Sequence, residues 1–377
     1  MSLGIYVQVP FCQTKCTYCN FHTGVFPRNL YSPYVSAVCR EIATSAVPVS
    51  LPVDTIYIGG GTPSLLEPAA LERMLECIRG HCRCEIEEVT LEADPETVTA
   101  ENARAWGAAR INRISLGAQS FNDQELQAAG RMHRRADTAN AVRWLRDAGF
   151  ANVSVDLIAG LPHQTRVTWE DSVGNLLRLR PEHVSIYMME IDEGSRLGRE
   201  VLSGGHRYSA DLLPADDAMA DFYEDASERL AAEGYEHYEI SNWALPGYRS
   251  RHNLKYWRRE PYLGFGAGAH SFDGHRRWSN AHDPAAYVSA IEQGRSPIDQ
   301  EGVLTPQEEL DEELFLGLRQ LEGINLGQIE SRYKVDLRNR VKGLEQQGLV
   351  EFDGERVRLA AARLTVSNEV FVELLGQ

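Results

Sequence analysis

Three cysteines lie close together near the start of the sequence, at Cys12, Cys16 and Cys19, in a C-x3-C-x2-C spacing. This spacing lets three thiolates on one loop bind a common metal centre. Zinc is one candidate, because His22 follows after two residues and would complete a tetrahedral set of four ligands. An iron-sulfur cluster is the other, because a [4Fe-4S] cluster held by three thiolates keeps one iron open for a small molecule. The spacing alone leaves both candidates open.

Further motifs follow the later predicted strands, each at the point where the strand ends. They are Gly60, Gly61 and Thr62 after the second strand, Glu92 after the third, Gln119 after the fourth and Asp156 in the fifth. Glycines at a strand end let the backbone approach a ligand closely. Taken singly, each motif also has a structural interpretation, as a tight turn or as a carboxylate that caps the next helix.

Six short apolar runs alternate with helical patterns in the first half of the chain. They cover residues 4–9, 55–58, 88–91, 113–116, 153–157 and 183–187. Such alternation predicts an α/β fold with buried parallel strands, and six units fall short of the eight that close a TIM barrel. We therefore expect a partial (β/α)6 TIM-like barrel, with a doubly wound sheet as the alternative. Gly80 and Gly149 are predicted to end two of the helices.

The second half of the chain has a different organisation. Residues 191–300 mix helices and short strands, and residues 301–377 predict three helices followed by a hairpin that turns at Asp353-Gly354. We therefore expect three regions: a barrel core over residues 1–190, a barrel-associated region over 191–300 and a small winged-helix-like α+β domain over 301–377.

Charge and hydropathy exclude several classes of partner. The chain has 38 Lys+Arg against 54 Asp+Glu, a net charge of -16, which disfavours binding to nucleic acid. No apolar run approaches the roughly 20 residues of a membrane span, and the start lacks the pattern of a signal peptide. These features predict a cytoplasmic protein without stable membrane insertion, whose cysteines are reduced. Its oligomeric state is left open, a homodimer included.

The cysteine loop and the strand-end motifs together resemble the radical S-adenosylmethionine (SAM) superfamily. In that superfamily three cysteines bind a [4Fe-4S] cluster, and SAM chelates the fourth iron. The resemblance implies Cys12, Cys16 and Cys19 as cluster ligands. As SAM contacts it implies Tyr6, Gly60, Gly61, Thr62, Glu92, Gln119, Arg131, Asp156 and Met188. It also implies an electron donor wherever SAM is cleaved reductively to a 5′-deoxyadenosyl radical.

Within the superfamily, the chain resembles the branch that contains oxygen-independent coproporphyrinogen III oxidase and the HemW heme chaperones. Phe21 stands where the oxidase has a further cysteine, and the oxidase carries an extension before the cluster loop. Asn20 stands where HemW sequences usually have Asp. The resemblance implies a chaperone that binds heme and transfers it to an apoprotein. The alternative is coproporphyrinogen III oxidase activity, and no catalytic residue is assigned.

The segment His252-Asn-Leu-Lys-Tyr256-Trp resembles the HNxxYW pattern that is associated with heme binding in HemW. In a helix over residues 250–259, His252 and Tyr256 lie on one face, and imidazole and phenolate both bind heme iron in known proteins. The alternative is that the two side chains seat this helix against the barrel. The glycine-rich run that ends at His270 is interpreted as close backbone packing near the barrel mouth.

Overall fold

The computed structural model describes residues 2–45 and 51–375. The strands are β1 (Leu3–Val9), β2 (Val53–Gly60), β3 (Cys84–Ala93), β4 (Arg113–Gln119), β5 (Val153–Ala159), β6 (His183–Met188), β7 (Glu236–Glu239), β8 (Asn242–Ala244), β9 (Tyr262–Phe265), β10 (His270–Phe272), β11 (Arg276–Asn280), β12 (Ile298–Val303), β13 (Ile324–Asn325), β14 (Val350–Phe352) and β15 (Arg356–Leu359). The helices are α1 (Tyr31–Thr44), α2 (Pro68–His81), α3 (Ala100–Ala108), α4 (Asp123–Ala128), α5 (Arg135–Asp147), α6 (Arg166–Leu179), α7 (Arg196–Leu202), α8 (Asp216–Ala232), α9 (Arg251–Trp257), α10 (Pro284–Glu292), α11 (Pro306–Gly317), α12 (Leu326–Tyr333), α13 (Arg338–Gln346) and α14 (Ser367–Leu375).

Six parallel strands, β1 to β6, form the centre of one sheet and pair in chain order. Each of the six predicted apolar runs lies within one of these strands, so the α/β fold with a parallel core is confirmed. The strands are buried on both faces, because helices cover the sheet. In β1, for example, every residue except the half-buried Tyr6 is buried. Among the described residues the two edges of this sheet are β7 and β12, which do not pair with each other.

Residues beyond 190 extend this sheet on both sides. On one side β8 pairs antiparallel with β6, and β7 with β8. On the other side β9 pairs parallel with β1, and β10, β11 and β12 follow antiparallel. The strand β12 crosses residue 300, the boundary that the sequence predicts between the second and third regions.

The C-terminal part has its own three-stranded sheet, in the order β13-β15-β14, with α11, α12, α13 and α14. The predicted hairpin is present, and Gly354 adopts a φ of 99° at its turn. The first of the three helices, which the sequence predicts over residues 305–321, ends earlier, at Gly317. The residues after it pair instead with the end of β7, through Ile240 N to Arg319 O at 3.1 Å. In the part of the chain that the structure describes, no helix is both long and apolar enough to cross a membrane.

One of the two glycines predicted to end helices does so. Gly149 follows α5 with a φ of 92°, the left-handed conformation that terminates helices. The prediction for Gly80 is wrong, because α2 continues through it to His81.

Candidate functional site

A cavity of about 550 Å³ opens where the carboxyl ends of the central strands meet. Eleven of the fourteen predicted site residues line it: Cys12, Cys16, Cys19, Gly60, Gly61, Thr62, Glu92, Gln119, Arg131, Asp156 and Met188. Tyr6, His252 and Tyr256 are not among its lining residues. Because parallel strands bring their carboxyl ends to one edge, these eleven residues share the cavity although they lie up to 176 positions apart in the sequence.

The glycine motif after β2 packs directly against the cysteine loop. Gly61 N donates a hydrogen bond to Val9 O at 2.8 Å, and Thr62 N donates one to Phe11 O at 2.7 Å. A Cβ atom on Gly61 would lie 2.6 Å from Phe11 O and 2.8 Å from the Cys12 sulfur. Glycine is therefore required here, because any larger residue would push the cysteine loop away.

The three cysteines of the loop are free thiols and partly buried. Burial is the main cause that raises the pKa of Cys12 to about 11, with the neighbouring Cys19 and Cys16 acting in the same direction and a hydrogen bond with Thr23 opposing it. Arg131 Nη1 lies 3.6 Å from the Cys16 sulfur and donates to it. Metal binding at Cys12 would therefore release a proton.

The surroundings of these donors bear on the two metal centres that the spacing leaves open. No three Cys, His, Asp or Glu residues within ranges 2–45 and 51–375 are gathered closely enough to hold one metal ion. His22, the fourth zinc ligand of the alternative, lies with its ring 4.0 Å from the ring of His282. A cubane needs a wider spacing, because each thiolate binds a different iron. Three cysteines beside a glycine cradle therefore fit a [4Fe-4S] cluster.

The Arg131 side chain is buried and held in place by acceptors on β4 and just after β3. It forms an ion pair with Asp94 and donates to Gly117 O at 2.8 Å. Asp94 also accepts a hydrogen bond from Thr62 Oγ1 at 2.9 Å. Near this pair Gln119 has a φ of 63°, a conformation that is uncommon outside glycine and that clusters at ligand sites. The sequence motif pointed to Arg131 and Gln119, but not to Asp94, which links them to the glycine motif.

Glu92 accepts hydrogen bonds from Gly60 N at 2.9 Å and from Tyr57 Oη at 2.9 Å. Its pKa is raised to about 7, mainly by burial and to a smaller extent by Asp156 and Asp94, while the two hydrogen bonds oppose the rise. Burial also raises the pKa of Asp156, against hydrogen bonds from serines of β4, β5 and β6. These carboxylates make the cavity floor a site for a cationic or hydroxyl-rich ligand.

We expect the affinity of the cluster-loaded chain for SAM to fall as the pH drops through 7. A ligand ammonium or ribose hydroxyl interacts best with ionised Glu92. Because the pKa of Glu92 is raised, its carboxyl is protonated below pH 7 and must lose that proton when the ligand binds. With a pKa of about 7, the dissociation constant should rise about tenfold between about pH 8 and pH 6. Equilibrium dialysis at the two values measures this change. In Glu92→Gln the dissociation constants at the two pH values should be nearly equal. An unchanged pH dependence in that variant would contradict the role of Glu92 as a SAM contact.

The His252 motif lies on α9, next to the amino-terminal ends of β1 and β2 rather than at the cavity. Glu88 accepts hydrogen bonds from the backbone N–H groups of Arg251 and His252, at 3.0 and 3.1 Å. His252 is 0% exposed, and its Cε1 would lie 3.2 Å from a Cβ on Gly4. The helix therefore packs against the inner strands with its N-terminus capped by a carboxylate.

Both ring nitrogens of His252 have partners. Nδ1 lies 2.9 Å from Thr55 Oγ1, and Nε2 lies 2.9 Å from Tyr256 Oη. Burial, with a smaller contribution from the nearby Lys255 and Arg113, lowers the pKa of His252 to about 3, so the ring is neutral. Axial ligation of heme iron by either side chain would require breaking their mutual bond. These contacts favour the packing alternative for the motif.

Replacing His252 with Ala should therefore affect stability rather than the heme ligand. Loss of two buried hydrogen bonds and of packing should lower the free energy of unfolding by about 2–4 kcal/mol. The absorption bands of bound heme should keep their positions. Denaturant unfolding measures the change in stability, and heme titration measures the positions of the bands. The control is His206→Ala, which replaces an exposed histidine. Shifted heme bands with unchanged stability would instead identify His252 as a ligand.

Comparison with known proteins places the chain in a family. The sequence profile of the radical SAM superfamily matches residues 6–176, and that of the HemN C-terminal domain matches residues 304–362. The heme chaperone HemW of Bacillus subtilis is 33% identical over 379 residues, which cover 99% of each chain. The chain belongs to the HemW family. HemW of Lactococcus lactis is 34% identical over 375 residues, or 98% of this chain and 96% of that relative.

Among solved structures, coproporphyrinogen III oxidase (HemN) from Escherichia coli, a radical SAM enzyme, has a TM-score of 0.83 to this chain. It is 20% identical, and the match covers 99% of this chain and 89% of that one. This likeness concerns the fold. Together the comparisons confirm the predicted radical SAM fold and the predicted resemblance to HemW.

Proposed function

We propose that this protein binds heme and transfers it to an acceptor apoprotein, and that its cysteine loop holds a [4Fe-4S] cluster with SAM bound beside it. The observation that carries the proposal is the full-length similarity to HemW heme chaperones. Phe21 supports it: the side chain lines the cavity and is 69% exposed, where the oxidase would present a further thiol.

The residues of the cavity have distinct roles in this proposal. Cys12, Cys16 and Cys19 would bind the cluster, which when bound supplies the electron for reductive cleavage of SAM. Gly60, Gly61 and Thr62 would let backbone groups approach the methionine part. Glu92, Gln119 and Asp156 would accept hydrogen bonds from ribose or ammonium groups, while Arg131 stays fixed by Asp94. Met188 would contact the ligand through its backbone, and Tyr6 supports the floor by stacking on Tyr57 at 6.0 Å.

The three predicted regions have distinct roles in the same proposal. Residues 1–190 would hold the cluster and SAM. Residues 191–300 would complete the sheet and carry α9. Residues 301–377 would cover the cavity, since Leu364, Thr365, Ser367 and Asn368 also line it.

Heme titration of the cluster-loaded chain tests this function. We expect saturation near one heme per chain, and transfer of that heme to a heme-free b-type cytochrome at a rate that increases with cytochrome concentration. Release to apomyoglobin, a general heme scavenger, measures passive dissociation. Absence of saturable binding, or transfer that never exceeds passive dissociation, would contradict the chaperone function.

A further inference from the structure

Three of the eleven histidines differ from the others in their contacts. The other eight each have a ring nitrogen within hydrogen-bond or ion-pair distance of a described residue: His81, His133, His163, His183, His206, His237, His252 and His275. Within residues 2–45 and 51–375, no hydrogen bond or ion pair uses a ring nitrogen of His22, His270 or His282, and Nδ1 of His282 is buried without a partner. These are the imidazoles whose nitrogens the fold itself leaves unused.

The three histidines come from separate segments and lie together, as a histidine patch. The ring centres of His22 and His282 lie 4.0 Å apart. A Cβ on Gly268 would lie 3.2 Å from Nδ1 of His282 and 4.0 Å from Cβ of His22. His270 is two residues further on, at the start of β10. Burial lowers its pKa, and the neighbouring His282 and His22 act in the same direction, so all three rings are close neighbours.

The glycine-rich loop before β10 holds the patch together. Gly268 has a φ of 73°, in the region that favours glycine. Its N–H donates a hydrogen bond to Ala281 O at 3.0 Å, and Asn280 N donates one to Ala269 O at 3.0 Å. These bonds fasten the loop that leads into β10 to the chain that leaves β11. The histidines that follow the two segments are therefore held side by side.

The patch adjoins both the cavity mouth and the cysteine loop. His22 lies between Phe21 and Thr23, which both line the cavity, and it follows Cys19 by three residues. Phe21 is 69% exposed, and Val25, three residues past His22, is 63% exposed. Exposed apolar side chains next to unused imidazoles suit a ligand that combines a metal with a large apolar surface.

The number of donors indicates a metal that brings ligands of its own. Within the described ranges, no three His, Cys, Asp or Glu side chains are close enough together to hold one bare metal ion. Iron in heme is already held by the porphyrin nitrogens and needs only axial ligands, for which neutral imidazole is well suited. Burial lowers the pKa of both His22 and His270, which favours that neutral form.

The charges around the patch differ from those on the cavity floor. The charged side chains that act on the rings are cations, since Lys15 lowers the pKa of His22 and Arg277 lowers that of His270, each after burial and His282. Asp283, which follows the patch in sequence, is engaged as the N-cap of α10. The carboxylate arms of a porphyrin therefore approach this rim without meeting the buried carboxylates of the floor.

We propose that the histidine patch supplies the axial ligand of heme iron, so that heme lies at the cavity mouth beside the cysteine loop and not on α9. This inference rests on the proposed heme-binding function and gives that function its site. On α9 both ring nitrogens of His252 are engaged, whereas the patch offers imidazoles without partners in the described chain.

The test compares ferric heme with metal-free protoporphyrin IX, which has the same ring and propionates but no iron. Both are titrated spectroscopically into the cluster-loaded full-length chain and into two patch variants, in which His22, His270 and His282 are replaced together with Ala or together with Gln. The control replaces three other exposed histidines, His81, His206 and His275, with Ala. It removes the same number of imidazoles outside the patch. Thermal unfolding of each variant checks its fold.

Wild type and the control should bind heme at least about tenfold more tightly than metal-free protoporphyrin, since even the loss of a residue that supports a metal ligand costs about 10- to 100-fold in affinity. Both patch variants should lose this preference, and the absorption bands of bound heme should shift. An undiminished preference in either folded patch variant, or equal affinity of the wild type for the two compounds, would overturn the inference while leaving the chaperone function intact. Failure of the wild type to bind heme saturably would overturn the proposed function itself.

Discussion

Replacing Cys16 with Ala should abolish the iron-sulfur cluster. Cys16 lies at the cavity wall, where Arg131 donates to its sulfur at 3.6 Å, and a three-thiolate site has no spare ligand. After anaerobic reconstitution, the wild type should contain about four iron and four sulfide atoms per chain, and the variant close to none. The visible absorption of the cluster should disappear in parallel.

The matched control is Cys84→Ala, which removes a partly buried thiol at the start of β3. It should keep the full iron and sulfide content. A Cys16→Ala protein that retains the wild-type iron, sulfide and absorption spectrum would refute the cluster assignment. One metal atom per chain in the wild type, zinc in particular, would restore the tetrahedral alternative.

Replacing Gly61 with Ala should displace the cysteine loop and weaken both cluster and SAM binding. The added Cβ would lie 2.6 Å from Phe11 O, a backbone atom that cannot rotate away. Overpacking of this kind costs about 1–3 kcal/mol of the free energy of unfolding. Reconstituted iron content, SAM affinity and denaturant unfolding should all decrease together.

Gly80→Ala is the matched control, because it adds the same methyl group at a glycine outside the site. We expect it to stabilise the chain where Gly61→Ala destabilises it. Gly80 lies inside α2, and a Cβ there meets nothing within 4 Å. Alanine should stabilise the helix by about 0.5–1 kcal/mol, with cluster and SAM binding unchanged. Equal behaviour of the two variants would show that the glycine motif does not position the cysteine loop.

The barrel core could be predicted from the sequence because its strands are short apolar runs bounded by turn residues. The flanking strands could not, since each has only three to six residues. The outermost ones also lack an apolar pattern: all six residues of β12 are exposed, and β11 reads Arg-Arg-Trp-Ser-Asn. The helix α14 also escaped prediction. In these elements tertiary pairing, more than local pattern, determines the structure.

The candidate site was predictable where it depends on motifs at strand ends. It was not predictable where it depends on contacts between residues that are far apart in the sequence. Thr55, which binds the His252 ring, is 197 residues away in the sequence, and no local signal shows that both ring nitrogens are engaged. Arg319 reaches the cavity because the chain leaves α11 early to pair with Tyr238 and Ile240, which helical periodicity does not reveal.

The most direct test of the central claim is an anaerobic assay that offers the cluster-loaded chain heme and, separately, SAM with coproporphyrinogen III. Escherichia coli coproporphyrinogen III oxidase serves as the positive control for decarboxylation. A heme chaperone should bind heme stoichiometrically and form no protoporphyrinogen under conditions in which the control enzyme converts its substrate. Formation of protoporphyrinogen at a rate comparable to the control, without saturable heme binding, would identify an oxidase instead.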